Sequence, residues 1–591
     1  MCGIVGHIRS GGQVDRSLFD QMRDALAHRG PDDAHSHYLL DGRIALGHRR
    51  LSFLDLTPAG RQPMSNEDDT VWIVLNGEIY NYLELRADLI RAGHRFKTNS
   101  DTEVLLHGYE EWGMNLLDKV KGMFAFGLVD LRGGKVFLVR DRFGIKPLYY
   151  RHDRSGLVFA SELKAIMVDP QAPREIDFSA FADYFVYRYI PSPKTIWKGI
   201  SKLAPATYLT YDIHTGQTTF SEYWVVPHGK RKRNEQELIH SFGAALDRSV
   251  QLHARSDVPV GSFLSGGYDS SAVVYYMARA QAKPETFSIG FSGWGQSEDQ
   301  YARIVADQLG VPLSTTVADS SSLELLDIMP DVYDEPIADI SIIPTWLVSH
   351  LAGTKVKAVM SGEGADELLG GYTWQKDFFA QRHIPLGQRL RQYIKGEKID
   401  TVSYYAHAMA MGRFDKAELA AMFTEGYHQY IAPDTDWFYR QHYDERLSPL
   451  QSIQKMDIKC FMGELVLTKI DRASMANSLE VRVPFLDHDL FEQVLSTDER
   501  TYFKPDITKY LLYENIKSHL PKAILDRRKQ GFVGPDSYYM DINWYCSILD
   551  QSKLVRDGII RYEYYTRLIA GQEHWKLWKL TVMEKWYRRW S

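Results

Sequence analysis

The chain has 591 residues, of which 44% are hydrophobic and 25% are charged, so wholesale disorder is excluded. Its formal net charge of −6 offers no basic field for nucleic acid or for an anionic membrane. The sequence has no apolar run of about 18 residues, no leader typical of secretion, and only three cysteines, too few for a disulfide framework. We therefore expect a cytoplasmic protein that acts without nucleic acid or membrane.

Residues 1–224 are predicted to form an α+β domain with antiparallel sheets. Short apolar runs between turn residues, such as Val71–Leu75 and Met123–Val129, are typical of strands. Helical patterns such as Ser17–Ala27 separate some of these runs. Antiparallel strands and helices in separate runs indicate a layered domain.

The next segment, residues 225–236, is polar and turn-prone and is predicted to be a linker. Its basic cluster Lys230–Arg233 is more typical of a solvated connection than of a nucleic-acid site. In residues 237–591, strands such as Val258–Leu264 first alternate with helices such as Ser271–Ala280. This alternation indicates an α/β, doubly wound parallel sheet with ligands at the carboxyl ends of its strands, followed by a helical C-terminal region.

The last predicted helix, Glu573–Arg589, is rich in tryptophan. A membrane-surface helix and a helix packed into the domain are both compatible with its composition. Its wide apolar face favours packing into the domain.

Cys2 directly follows the initiator methionine and precedes a glycine. Removal of that methionine would leave an α-amino group, with an ordinary pKa of about 8, as a base for the thiol of the same residue. Arg50 ends a strand and can bind a carboxylate, while Asn76 and Gly77 offer donors suited to an oxyanion. Asp101, at a helix start, suits an α-ammonium group.

Four segments together resemble the glutaminase domain of class II glutamine amidotransferases. They are Met-Cys-Gly-Ile-Val-Gly at 1–6, His-Arg-Gly-Pro-Asp at 28–32, Asn-Gly-Glu-Ile-Tyr-Asn at 76–81 and Arg-Asp-Arg-Phe-Gly-Ile-Lys-Pro-Leu-Tyr at 140–149. The resemblance implies an N-terminal-nucleophile sandwich, with antiparallel sheets between helices. It implies a nucleophile at Cys2, an oxyanion hole at Asn76 and Gly77, and glutamine-binding groups at Arg50, Asn76, Glu78 and Asp101. For Glu78, an ordinary turn carboxylate remains the alternative.

A Gly-Gly turn lies between a strand and a helix at residues 263–271. Its backbone N–H groups and the helix N-terminus can bind phosphate, and Asp269 can hold Mg²⁺ beside it. The turn resembles the Ser-Gly-Gly-x-Asp-Ser loop of ATP pyrophosphatases that adenylate carboxylates or tRNA bases. The later segment Met-Ser-Gly-Glu-Gly-Ala-Asp-Glu, at 360–367, is similar to a stretch of the asparagine synthetases.

The second resemblance implies ATP as a substrate, Mg²⁺ as a cofactor and a set of site residues. Glu363 would face the reacting acyl-adenylate, and Asp269 and Asp366 would hold the metal. The ATP and pyrophosphate site would comprise Leu264, Ser265, Gly266, Gly267, Asp269, Ser270, Ile289, Ser361, Gly362 and Lys509. For Lys509, an exposed lysine without a ligand is the alternative.

The order of the two parts resembles the glutamine-hydrolysing asparagine synthetases over the whole chain. The implied substrates are glutamine, ATP and an acceptor carboxylate, and a homodimer is the assembly expected from the family. ATP would adenylate the acceptor and release pyrophosphate. Ammonia freed at Cys2 would then attack the acyl-adenylate after passing through a dry tunnel.

The acceptor is left open by the sequence. Aspartate is the simplest, but asparagine-forming relatives carry an arginine near Ile340, and no basic residue lies between Asp331 and Ser349. The alternative is a larger acid, such as a uronic-acid sugar, a cell-wall peptide or a natural-product intermediate, unless an arginine or lysine from the helical C-terminal region, Arg472 or Arg482 for example, folds over the site. The fused glutaminase disfavours a tRNA-modifying pyrophosphatase. The intact site residues disfavour an inactive glutamine-binding regulator.

Overall fold

The computed structural model describes residues 2–280, 283–382, 400–527 and 531–591. Met1, whose removal the sequence predicts, lies outside these residues. The strands of the N-terminal part are β1 (Gly3–Arg9), β2 (Asp33–Leu39), β3 (Ile44–Arg50), β4 (Met64–Ser65), β5 (Val71–Ile79), β6 (Gly122–Asp130), β7 (Lys135–Arg140), β8 (Tyr149–Asp153), β9 (Gly156–Ala160), β10 (Ser201–Lys202), β11 (Thr207–Asp212) and β12 (Thr218–Glu222). Its helices are α1 (Arg16–Asp24), α2 (Tyr82–Arg91), α3 (Asp101–Trp112), α4 (Leu163–Met167) and α5 (Phe178–Tyr187).

These strands form two six-stranded antiparallel sheets, in the orders β10-β8-β9-β1-β3-β2 and β12-β11-β7-β6-β5-β4. Side chains such as Ile4, Val74 and Phe159 fill the space between the two sheets. Gly6 and Gly127 make room for the Phe159 ring, because a Cβ atom at either would lie within 2.4 Å of it. Helices α1, α4 and α5 cover one outer face, and α2 and α3 cover the other. The predicted sandwich is therefore confirmed.

The C-terminal part contains a five-stranded parallel sheet in the order β15-β14-β13-β16-β17. Its strands are β13 (Val260–Phe263), β14 (Thr286–Phe291), β15 (Leu313–Ala318), β16 (Ala358–Met360) and β17 (Glu480–Arg482). Its helices up to the sheet's last strand are α6 (Glu235–His253), α7 (Tyr268–Ala280), α8 (Glu298–Leu309), α9 (Met329–Tyr333), α10 (Ile342–Gly353), α11 (Ala365–Leu369), α12 (Thr373–Arg382), α13 (Thr401–Ala408), α14 (Lys416–Met422), α15 (Trp437–His442), α16 (Pro449–Met456) and α17 (Leu467–Met475), with a π-helical turn at Asp457–Val466.

The predicted α/β domain with a helical end is also confirmed. Strand β17 is an exception within the region expected to be mostly helical: its three residues lie between helices and are too few to show a strand period. The remaining helices are α18 (His488–Leu495), α19 (Glu499–Tyr502), α20 (Tyr510–Ile516), α21 (Lys522–Leu525), α22 (Ile542–Leu549), α23 (Lys553–Arg556), α24 (Tyr562–Ala570) and α25 (His574–Trp590).

The segment between β12 and α6 follows the surface of the C-terminal part. The backbone N–H of Gly229 donates to the Leu495 carbonyl over 2.9 Å, and Arg231 forms a bridge with Thr497. Both contacts are made by the backbone, so they fix the path of the segment regardless of its side chains.

Helix α25 packs into the protein, as its wide apolar face favoured. Trp578 and Trp586 are at most 1% exposed. Their indole N–H groups donate to the Ala338 carbonyl (3.3 Å) and the Asp334 carbonyl (2.6 Å). The helix thereby holds the loop from Asp334 to Ser341 in place. In the four described ranges, every helix is too short or too polar to cross a membrane.

Trp578→Ala is expected to lower the free energy of unfolding by about 3–5 kcal/mol, because it leaves a cavity in the core and removes the hydrogen bond to the loop. Trp590→Ala, in the same helix but only half-buried, is the matched control and should cost clearly less. Urea unfolding followed by fluorescence measures both. Equal losses would show that α25 is not held by its buried face.

Candidate functional site

Cys2 lies at the start of β1, beside the adjacent sheet's strand β5. Its backbone N–H donates to Asn76 Oδ1 over 3.1 Å, which orients the amide of Asn76. Asn76 is fully buried, and its Nδ2 has no hydrogen-bond partner among the described residues. An unpaired buried donor is costly, so a group that accepts from Asn76 Nδ2 next to the thiol would be strongly favoured.

Gly77 follows Asn76 on β5 and has a φ of 155°. A Cβ atom here would lie 2.1 Å from the Met123 carbonyl oxygen of the neighbouring strand β6. Only glycine therefore fits this close pairing of β5 with β6.

Three charged residues named from the sequence, Arg50, Glu78 and Asp101, belong to the site around Cys2 and Asn76. The Arg50 guanidinium is fixed by the carbonyls of Leu54, Asp55 and Thr57, at 2.6–3.1 Å. Asp101 accepts from the backbone N–H of Ile79 over 2.8 Å.

Burial dominates the electrostatics of this site. It raises the pKa of the Cys2 thiol, and it raises the pKa of Asp101 to about 6 against the opposing Ile79 N–H. Burial and then the neighbouring Asp101 raise the pKa of Glu78 well above its usual value. A cationic group placed between these two carboxyl groups would restore their charge, which suits an α-ammonium group.

The second site is a cavity of about 610 Å³ at the carboxyl ends of β13 and β16. The glycine-rich turns after these two adjacent strands form its floor, and a Cβ atom at Gly362 would lie 2.7 Å from that of Asp269. The hydroxyls of Ser265 and Ser270 are 3.0 Å apart and face the start of α7. Of the residues expected to bind ATP and pyrophosphate, those lining the cavity are Leu264, Ser265, Gly266, Gly267, Asp269, Ser270, Ser361, Gly362 and Lys509.

Ile289 is placed differently from this set. It is 1% exposed within β14, and the described wall of the cavity takes Phe287 and Ser288 from that strand instead.

Lys509 is buried and joins the two carboxylates expected to hold magnesium. Its ammonium group pairs with Asp269 and, at 2.8 Å, with Asp366. Although burial opposes it, this pair of carboxylates raises the pKa of Lys509. Two carboxylates that converge on one cation form an oxygen donor set of the kind that Mg²⁺ prefers, so the residues present fit this metal. The alternative of an exposed lysine is wrong, because Lys509 is 4% exposed.

Glu363 lines the same cavity and pairs with the Ser361 hydroxyl. Burial raises its pKa, with the hydroxyl acting in the opposite direction. Among the described residues, the Glu363 carboxyl group has no ion pair within 4.0 Å, and it lies within the second of the two glycine-rich turns.

At the far end of the cavity, the wall includes Asp339, Ile340 and Ser341. The expectation that this wall lacks a cation is wrong for the folded protein. Lys469 of α17 donates to Ser341 Oγ over 2.6 Å and lies 3.5 Å from Asp339, and Arg188 of the N-terminal part lines the same cavity. Both cations come from segments distant in sequence.

The two arginines named as candidates for this wall are engaged elsewhere. Arg472 pairs with Glu162 (2.7 Å) and Asp334 (2.6 Å), and Arg482 pairs with Glu480 (2.6 Å). Both are fully buried in these pairs. Neither arginine folds over the acceptor end of the cavity.

A buried ion network connects the two sites. Arg29 donates from Nε to the Cys2 carbonyl (3.1 Å) and binds Asp471 of α17 (2.9 Å). It also pairs with Glu162 (2.8 Å), the carboxylate that Arg472 shares. Helix α17 is thus linked to the Cys2 carbonyl through Asp471 and Arg29, and it lines the cavity with Lys469.

Comparison with known proteins agrees with both halves of this geometry. Residues 1–224 match a family model described as a glutamine amidotransferase domain, and residues 241–588 match one described as asparagine synthase. Glutamine-hydrolysing asparagine synthetase 1 of Bacillus subtilis is 34% identical, covering 99% of this chain and 96% of its own length. The chain belongs to the glutamine-hydrolysing asparagine synthetase family.

Other relatives lie further from this chain. A putative asparagine synthetase of Mycobacterium tuberculosis is 31% identical over 91% of this chain and 88% of its own length. Amidase chry2 of Gibberella zeae is 28% identical over 91% of this chain and 90% of its own. The protein is a glutamine-hydrolysing ligase of the asparagine synthetase type, and its acceptor is a separate question.

Two residues of this family member's cavity were not found from the sequence. Arg188 lies in the N-terminal part, remote in sequence from the glycine-rich turns at 264–267 and 361–364, and no motif marks it. Lys469 lies two residues before Asp471 of the Asp-Arg pair at 471–472, about half a helical turn away. The helical pattern could therefore have placed Lys469 half a turn from the interface.

Gly77→Ala is expected to abolish glutamine hydrolysis, because the added methyl group forces β5 away from β6 and displaces Asn76. Gly11→Ala, where nothing lies within 4 Å of the added atom, is the matched control and should keep full activity. Glutamate release and thermal unfolding of both variants measure the effect. Unimpaired hydrolysis by the Gly77 variant would contradict the placement of the site.

Proposed function

We propose that this ligase transfers the amide nitrogen of glutamine to a carboxylate that it activates with ATP, in the simplest case converting aspartate to asparagine. The observation that carries the proposal is the presence of two sites in one chain. In the first, the buried Cys2 thiol lies next to the unpaired Asn76 amide donor. The second is a cavity floored by two glycine-rich turns, at 264–267 and 361–364, which we call the phosphate-type loops. The ion network joins these two centres within one chain.

In the first half-reaction, Cys2 attacks the side-chain amide of glutamine, the C–N bond breaks to release ammonia, and water hydrolyses the resulting thioester to glutamate. Because burial raises the pKa of the thiol, a base must remove its proton, and the α-amino group of the processed chain is the base that we infer. Asn76 Nδ2 and the Gly77 N–H stabilise the tetrahedral oxyanion. Glu78 and Asp101 bind the ammonium group of glutamine, and Arg50 binds its carboxylate.

In the second half-reaction, the acceptor carboxylate attacks the α-phosphate of ATP and displaces pyrophosphate. The turns at 264–267 and 361–364 bind the phosphates through backbone N–H groups. Lys509 neutralises the charge of the departing pyrophosphate. Asp269 and Asp366 would hold Mg²⁺, which neutralises phosphate charge when it is bound.

Glu363 has a different task from the residues that bind phosphate. Burial raises its pKa, which makes its carboxylate a stronger proton acceptor than an ordinary glutamate, so we assign it to the proton that ammonia loses as it attacks the acyl-adenylate. The products are the acceptor amide and AMP. A half-buried carboxyl group with no ion pair among the described residues suits this role better than the paired Asp269 and Asp366.

Aspartate is compatible with the charges at the acceptor end. Lys469 and Arg188 offer positive charge there, which removes the objection that a small dianion would be left unpaired. Larger acids remain the alternative. Pyrophosphate release across a panel of aspartate, uronic acids and peptides, with ATP and glutamine present, decides between them.

Cys2→Ala should abolish glutamine-dependent synthesis and leave synthesis from a high concentration of ammonium, because the thiol only produces ammonia. Cys546→Ala is the control for loss of a cysteine and should keep both activities. Amide product is measured with each nitrogen source. Loss of both activities in a folded Cys2 variant would contradict a two-centre enzyme.

Glu363→Gln and Asp269→Asn should each lower the rate of pyrophosphate release at least about 100-fold. Loss of either carboxylate should raise the activation barrier by several kcal/mol, and each increment of about 1.4 kcal/mol lowers the rate tenfold. Glutamine hydrolysis should persist, because it occurs in the other domain. The exposed Glu324→Gln serves as the charge control. Near-normal pyrophosphate release by both site variants would place adenylation elsewhere.

A further inference from the structure

Arg188 has a backbone conformation that its residue type disfavours. It caps the C-terminus of α5 with φ 73° and ψ 0°, in the left-handed region. Its N–H donates to the Tyr184 carbonyl, and its own carbonyl accepts from Ala338 over 2.9 Å. These backbone contacts would suit a glycine at lower cost. A long cationic side chain at such a position points to a role for the side chain itself.

The described surroundings of this side chain give its guanidinium no carboxylate in direct contact. Arg188 is 9% exposed and lines the adenylation cavity. Across the described ranges, no carboxylate lies within 4.0 Å of its guanidinium, and its Nε has no hydrogen-bond partner. Its recorded contacts are weak: Met411 Sδ at 3.7 Å and the Phe461 ring at 5.8 Å. A buried unpaired guanidinium is costly unless an anion joins it.

The other charges at this end are already matched to one another. Lys469 binds Ser341 Oγ and lies 3.5 Å from Asp339 Oδ1. The same Oδ1 accepts from the Ser341 N–H over 2.9 Å. Burial would raise the pKa of Asp339, but Lys469 and Arg188 outweigh it and keep the carboxylate ionised. Of the cations that the structure describes at this end, Arg188 is therefore the one that lacks an anion within 4.0 Å.

We propose that Arg188 binds a second carboxylate of the acceptor, so that the enzyme selects amino dicarboxylic acids over monocarboxylic acids. The inference rests on the proposed function and deepens it. The planar guanidinium can grip the second carboxylate with two parallel N–H groups. The Asp339 carboxylate, at the same end, matches the ammonium group of such an acid. The reacting carboxylate is then free to face Glu363 and the phosphate-type loops.

The test compares aspartate with β-alanine, which lacks the second carboxylate, and with succinate, which lacks the ammonium group. Pyrophosphate release is measured with ATP and saturating ammonium, so that the glutaminase centre plays no part. In the native enzyme, kcat/KM for aspartate should exceed that for β-alanine. Arg188→Gly and Arg188→Gln should lower the aspartate value by about 10- to 100-fold, mainly through KM, and leave the β-alanine value unchanged.

Two controls separate this role from a structural one. Arg188→Gly keeps the left-handed backbone and should unfold at a temperature no lower than the native chain. Arg248→Gln removes an equal charge from the exposed face of α6 and should leave the acceptor preference unchanged. A preference for aspartate that survives in both Arg188 variants, or a rise in the KM for ATP instead of that for aspartate, overturns the proposal.

A binding measurement distinguishes failure of this inference from failure of the proposed function. With a non-hydrolysable ATP analogue present, succinate should raise the melting temperature of the native chain and not that of Arg188→Gln. If this shift occurs but none of the acids releases pyrophosphate, the anion subsite stands and the proposed reaction fails. If pyrophosphate is released without any preference for the second carboxylate, the proposed reaction stands and the role of Arg188 fails.

Discussion

The structure depends on one buried cluster of charges between its two parts. Arg29 and Arg472 from opposite sides of the interface share Glu162, and Asp471 completes the pairing of Arg29. All four side chains are at most 2% exposed. Removing one member of such a buried cluster typically costs about 3–5 kcal/mol, because its partner is left charged and unpaired. The cluster therefore fixes the orientation of the two parts far more strictly than apolar contact alone would.

That fixed orientation has a chemical consequence. Ammonia in water is mostly protonated at neutral pH and then has no lone pair for attack on an acyl-adenylate. Apolar side chains from the N-terminal part, including Phe53, Met123 and Phe143, join the same core as the parallel-sheet domain. Helix α17 contributes to both places from positions two residues apart, since Asp471 pairs with Arg29 at the interface and Lys469 lines the cavity. A rigid, dry junction is what transfer of unprotonated ammonia requires.

Local sequence patterns predicted much of this architecture because they have local causes. Short apolar runs between turn residues placed strands such as β5 and β6, and glycine pairs placed the turns that floor the cavity. The pairing of Lys509 with Asp269 could be expected only from family resemblance, because 240 residues separate the two. Arg188 and Lys469 escaped prediction for the same reason. Their position in the wall of one cavity is a product of domain packing, which leaves no period or motif in the sequence.

We propose that the nitrogen released at Cys2 reaches the second cavity without entering bulk water. The most direct measurement supplies glutamine with an isotope-labelled amide nitrogen together with an excess of unlabelled ammonium, and follows the label in the amide product. A sealed junction predicts that nearly all product formed at saturating glutamine carries the label. Product labelled only in proportion to the bulk ammonium pool would show that ammonia escapes and would contradict the account.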